Sequence, residues 1–158
     1  MSGVTITLDD AAFSRWLTQT LGRITHLEDA LKEIGDILVQ STQNRFGTKI
    51  APSGATWAPN SPVTVAIKGH GSQLRGESKA LGDTIHPQLD GTKAVEVGSN
   101  MIYSAVQQFG QLKGASGSTR RGAPIPWGDI PPRPFVGVSQ EDEERITEIM
   151  ADYLMPGH

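Results

Sequence analysis

A chain of 158 residues has room for one domain, or one domain with extended arms. Hydrophobic residues make up only 37%, and 18 glycines and 10 prolines crowd two segments. A modest core must therefore come from the rest, and association with other copies would add stability. The net charge of −3 excludes a broadly cationic nucleic-acid binder, and the absence of cysteine excludes disulfides and thiolate metal sites and fits a reducing cytosol. The opening MSGVTITLDD lacks the basic and apolar regions of a signal peptide, and no apolar run approaches the ~20 residues of a membrane span, so no membrane partner is expected.

Val4, Ile6 and Leu8 alternate with threonines and predict a short strand or arm. Asp9 or Asp10 can cap a first helix carrying Phe13, Leu17 and Leu21 on one stripe, with Gly22 ending or kinking it. Thr25 and Glu28 have capping-box spacing, and Ile24, Leu27, Leu31, Ile34 and Leu38 predict a second helix running to Arg45-Phe46 before Gly47. Residues 47–76 lose all periodicity and read as an extended arm. Trp57 in that arm points to docking on a partner, because a large aromatic in a loop is costly unless it is covered.

Asp90-Gly91 between apolar segments predicts a hairpin of Thr84–Leu89 with Thr92–Ser99. Pro87 confines the first strand to an edge or a bulge. Gly98-Ser99-Asn100 then turns the chain into a short helical segment with Ile102, Val106 and Phe109 at helical spacing, stopped by Gly110. The stretch Val95–Gly110 reads as the corner on which the rest packs, with Phe109 buried. Residues 111–134 form a second arm, ending in the stiff Ile130-Pro131-Pro132-Arg133-Pro134. Phe135, Val136 and Val138 return to strand character. Ser139 caps a final helix whose buried stripe is Ile146, Ile149, Met150, Tyr153 and Leu154. The expected fold class is α+β, a single domain over 1–158 with helices packed on a small antiparallel sheet and two long arms.

No catalytic constellation emerges from these residues. His26, His70, His86 and His158 form no ligand spacing with one another, so no metal or other cofactor is expected. Lys68-Gly69-His70-Gly71-Ser72 lacks the order of a phosphate-binding loop, and no nucleophile elbow is present. Glu141 to Glu144 serve the positive end of a helix. Lys113, Arg120 and Arg121 lie in an acid-free loop and allow a passing contact with DNA phosphates. Arg133, held between prolines, is pre-positioned for an ion pair within the chain or with a neighbour, for which the Glu141–Glu144 cluster offers an acid.

Four motifs occur in order. They are Trp57-Ala58-Pro59-Asn60-Ser61-Pro62-Val63-Thr64; Leu74-Arg75-Gly76-Glu77 through Leu81-Gly82-Asp83-Thr84-Ile85; Val97-Gly98-Ser99-Asn100 with Tyr103-Ser104 and Gln108-Phe109-Gly110; and Pro132-Arg133-Pro134-Phe135-Val136-Gly137-Val138-Ser139. In this order the chain resembles the phage virion-morphogenesis or tail-completion family of Mu-like and other contractile-tailed phages and prophages. Gln107 and Pro132 depart from the pattern, at positions where a His and a small residue are expected. The resemblance implies a structural, non-catalytic virion protein of the head–tail junction, made in the host cytoplasm. It also implies assembly into a homo-oligomeric ring, hexameric to match the tail, alongside other tail or neck proteins. On that reading Trp57, Pro59, Arg75, Tyr103, Gln108, Phe109, Arg133 and Phe135 are expected at the assembly interface.

Overall fold

The computed structural model describes residues 15, 18–22, 27–74 and 80–155. The expected strand at Val4–Leu8, most of the first helix, Thr25 and Arg75 lie outside these. The longest element, α1 (Glu28–Thr48), follows from proline-free apolar spacing, with Glu28 and Asp29 at its positive end. Its N-cap is Leu27, with no side-chain cap, and the expected capping box at Thr25 lies outside the described residues. The helix also runs past the expected stop at Gly47. It closes at Lys49, in the left-handed region at φ 62°, whose N–H reaches the Arg45 carbonyl while its own carbonyl accepts from the Trp57 N–H. That second bond accounts for the late stop, because the end of the helix is fixed by the chain returning at Trp57.

After α1 the chain makes a bridge of Ile50 with Thr56, then α2 (Pro62–Lys68), started by the Ser61 side chain and a proline at the first turn. A one-turn α3 (Ala80–Asp83) leads into β1 (Ile85–Asp90), which pairs antiparallel with β2 (Ala94–Ser99). The register sets Ile85 against Ser99, Pro87 against Val97 and Leu89 against Val95. These residues share the face turned to α1, while His86, Gln88 and Glu96 point away and are exposed. Contact is closest at Gly35, where a Cβ would lie 2.9 Å from the Pro87 Cβ and 3.0 Å from the Val95 Cγ2. The helix has a glycine there because nothing larger fits. The fold is α+β, with helices against a two-stranded antiparallel sheet.

The apolar centre is Phe46, Ala51, Trp57, Leu81, Ile85 and Phe135, bordered by Val39, Leu74, Val97, Met101 and Val136. Phe46 meets Trp57 edge-on at 5.8 Å between ring centres and Phe135 at 5.5 Å, distances at which aromatic pairs attract beyond area burial. The corner expected at the centre is therefore peripheral. Its helix α4 (Ser104–Phe109) exposes 76% of Phe109, and the preceding Ile102 is 97% exposed. The helix is too short to bury both sides, and its polar Gln108 faces inward in place of Phe109.

Residues 111–130 form an irregular hairpin rather than a loose arm. Gln111 and Ile130 exchange backbone bonds, and Ser116, Thr119 and Ile125 continue the pairing towards a tip at Arg120 and Arg121. The Ile125–Pro126 peptide is cis. Residues 131–135 carry no regular structure, and 135–138 make no strand. The last helix, α5 (Gln140–Leu154), starts at Ser139 with a full capping box to Asp142. Its stripe from Ile146 to Leu154 is half-buried, against the expected full burial.

Candidate functional site

The motif residues converge on the short path 132–137, and they do so by holding main chain. Gln108 is a two-sided clamp: its Oε1 accepts from the N–H groups of Phe135 (3.0 Å) and Val136 (3.1 Å), and its Nε2 donates to the Val136 carbonyl at 2.9 Å. A primary amide is the side chain that offers both roles at once. Gly110 lets residues 130–132 pass close by. Its φ is 75°, and a Cβ there would fall 2.7 Å from the Ile130 carbonyl oxygen and 2.8 Å from the Pro132 nitrogen. The Gln108-Phe109-Gly110 motif is thus a clamp followed by a clearance, with Phe109 turned outward between them.

Arg133 works in the opposite direction. Its Nε donates to the Ala58 carbonyl and its Nη2 to that of Pro59, both at 2.9 Å. The side chain is buried, and burial lowers its pKa from the usual guanidinium range, although it remains charged at neutral pH. Among the described residues it forms no ion pair with the Glu141–Glu144 cluster of its own chain; its Nε and Nη2 are engaged by the two carbonyls instead. Trp57 Nε1 donates to the Pro134 carbonyl at 2.8 Å. Trp57 is 3% exposed and Phe135 1%. The expectation that they face a neighbouring subunit is corrected: both are spent on the chain's own core, and the first arm docks on its own body.

Arg45 and Asp142 tie α1 to α5, a pairing beyond the expected role of the 141–144 acids at the positive end of the helix. Arg45 Nη2 lies 2.6 Å from Asp142 Oδ2, and Nη1 donates to the carbonyls of Phe135 (3.0 Å) and Gly137 (2.9 Å). Asp142 also accepts from the Ser139 N–H and hydroxyl. Burial pushes its pKa up, but the Ser139 bonds, the Ser41 hydroxyl and the Arg45 charge outweigh that, and the net shift is downward. A detectable signal existed. Arg45 stands on the apolar side of α1, beside Thr42 and Phe46, and a cation there requires an acid.

A groove of about 550 Å³ opens beside this knot. Arg133, Tyr103 and Gln107 line it together with Asn60 and Thr64 from the start of α2. Outside the groove, Ile102, Phe109, Leu112 (72% exposed) and Trp127 (77%) stand in solvent. Pro59 is exposed, Lys113 is exposed with its N–H on Asp129, and Arg120 and Arg121 are exposed at the hairpin tip. Among the described residues no group of three or more His, Asp or Glu is close enough to hold a metal ion, and no helix is long and apolar enough to cross a membrane.

No curated protein and no solved structure matches the chain. A family model does, over residues 8–155, a span that contains every latch described above. By that match, which covers nearly the whole sequence, the chain belongs to the phage virion morphogenesis family.

Proposed function

We propose that the chain is a structural subunit of the head–tail junction, completing the tail or joining it to the capsid as one member of a closed ring. Family membership gives a virion assembly role. The observation that supports the finer reading is the apolar side chains left outside a finished core. Ile102, Tyr103 and Phe109, at the two ends of α4, and Leu112 and Trp127 later in the chain are exposed although the chain has a buried centre of its own. Large apolar groups carried on a backbone fixed by Gln108 and Gly110 suit contact with other subunits. Tyr103 and Phe109 keep their assembly role in this reading, and Ile102, Leu112 and Trp127 replace the buried Trp57 and Phe135.

The test is twofold. Light scattering with size-exclusion chromatography on the purified chain should show a ring-sized species that Phe109→Ser and Trp127→Ser disperse without lowering the melting temperature. Phage lacking the gene should yield separate heads and tails by electron microscopy. A chain that stays monomeric at all concentrations, or a deletion that leaves intact virions, would reject the reading. The exposed Arg120 and Arg121 at the hairpin tip favour one second reading, a passing contact with DNA. It predicts salt-dependent DNA retention that disappears when Lys113, Arg120 and Arg121 become Ala.

A further inference from the structure

Among the described residues the sheet has two strands, so each strand has an outer edge. The backbone from Ala94 to Gly98 makes no hydrogen bond outside its pairing with β1. An unpaired strand edge is a template for another strand. The two edges are unequal. Pro87 has no N–H, which interrupts the donors of β1, whereas β2 contains no proline. The surroundings of β2 are also open. Ala94 and Glu96 are exposed, Val95 and Val97 are only half-buried, and a Cβ on Gly98 would meet nothing within 4 Å.

The sequence supplies a strand that fits this edge. Val4-Thr5-Ile6-Thr7-Leu8 is uncharged and alternates with a period of two. Set beside β2, Val4, Ile6 and Leu8 would fall on the face turned to α1, next to Val95 and Val97. Thr5 and Thr7 would then share the exposed face with Glu96. The segment lies outside the described residues, and residues 9–14 separate it from Arg15, a link that can span up to about 20 Å. Residues 94–98 carry no bond from elsewhere in their own chain, which leaves the edge to a second copy.

We propose that the outer edge of β2 accepts residues 4–8 of the next copy as a third strand. Main-chain bonds supply the attachment, and the apolar alternation sets the register. The inference rests on the ring reading and gives it a polarity, because the donated segment and the accepting edge are different surfaces, as a head-to-tail contact requires.

The experiment reads amide exchange at residues 94–98 by NMR while sedimentation follows association over a range of concentrations. In the full chain the outward amides of β2 should slow about tenfold or more as copies associate. Deleting residues 1–8, or Ile6→Pro in the full chain, should abolish that slowing and weaken association. A synthetic peptide of residues 2–10 should restore the slowing in the truncated chain. If the parent chain associates while its β2 amides exchange as fast as in the truncated chain, the donated strand is wrong and the ring stands. Slowing already complete in the dilute monomer assigns the strand to its own copy and overturns the donation. A parent chain that stays monomeric at every concentration rejects the ring reading and the donation together.

Discussion

Two tryptophans sit in two glycine- and proline-rich segments of similar composition, and their outcomes are opposite. Trp57 is 3% exposed, set edge-on to Phe46 with its indole N–H on the Pro134 carbonyl. Trp127 is 77% exposed on the 111–130 hairpin. The first segment returns to the end of α1, where Lys49 and Trp57 share a backbone bond, so its aromatic ring is delivered to the core. The second pairs with itself and never crosses the core. Composition marks both segments as irregular, and only the path of the chain decides which is interior.

The comparison breaks most visibly at Trp57. Trp57→Ala removes a core aromatic and leaves the Pro134 carbonyl without its donor, so stability should fall by about 3–5 kcal/mol, read from urea midpoints. Trp127→Ala should leave the midpoint in place. Equal losses in the two variants would remove the distinction.

The buried ion pair sharpens the boundary between the end of α1, where the first segment returns, and α5. Asp142→Ala leaves Arg45 charged and uncompensated, at a cost of about 3–5 kcal/mol. The acid dependence has a definite sign. The Asp142 pKa is lowered in the folded state from its ordinary 3.8, so its contribution is complete above that value and is lost as pH falls through the depressed folded value. Melting temperatures of the parent and Asp142→Asn should therefore converge below about pH 3.8 and differ most near neutrality. A gap that persists undiminished at pH 3 would contradict the assignment.

A smaller effect is expected at Gly35. Alanine favours the helix by about 1 kcal/mol, but its Cβ meets Pro87 at 2.9 Å, so Gly35→Ala should be destabilising by about 1–3 kcal/mol. The smallest effect falls on Phe109. Its 76% exposure limits Phe109→Ala to about 0.5 kcal/mol of monomer stability, with the loss appearing in subunit association. A melting drop of several degrees in Phe109→Ala, without any change in association, would reverse that assignment.

Much of the local structure was legible in the sequence. The Ile34 and Leu38 spacing gave α1, Asp90-Gly91 gave the hairpin, and Ser139 gave the start of α5, because each signal is local and physical. The motif order likewise pointed to the family that the match over residues 8–155 shows. What stayed hidden depends on partners far apart in the chain. Gln108 and Phe109 are adjacent, and helical spacing alone assigned the inward place to Phe109. The structure gives it to Gln108, since three backbone groups at 135–136 needed an amide. An arginine between prolines suggests an acid as its partner, whereas the carbonyls of residues 58 and 59 hold Arg133. Arg45 and Asp142 lie 97 positions apart, a pairing that no local pattern announces.

The latches share a property with an evolutionary consequence. Gln108, Arg133 and, in part, Arg45 hold atoms of the polypeptide main chain, not side chains. The gripping residue is therefore constrained by its chemistry, while the bond itself asks nothing of the side chains of Ala58 and Val136; Val136 is held to an apolar residue only by its place at the edge of the core. Such asymmetry lets a lineage diverge widely in sequence and keep one shape, and it places the few unforgiving positions at the fasteners.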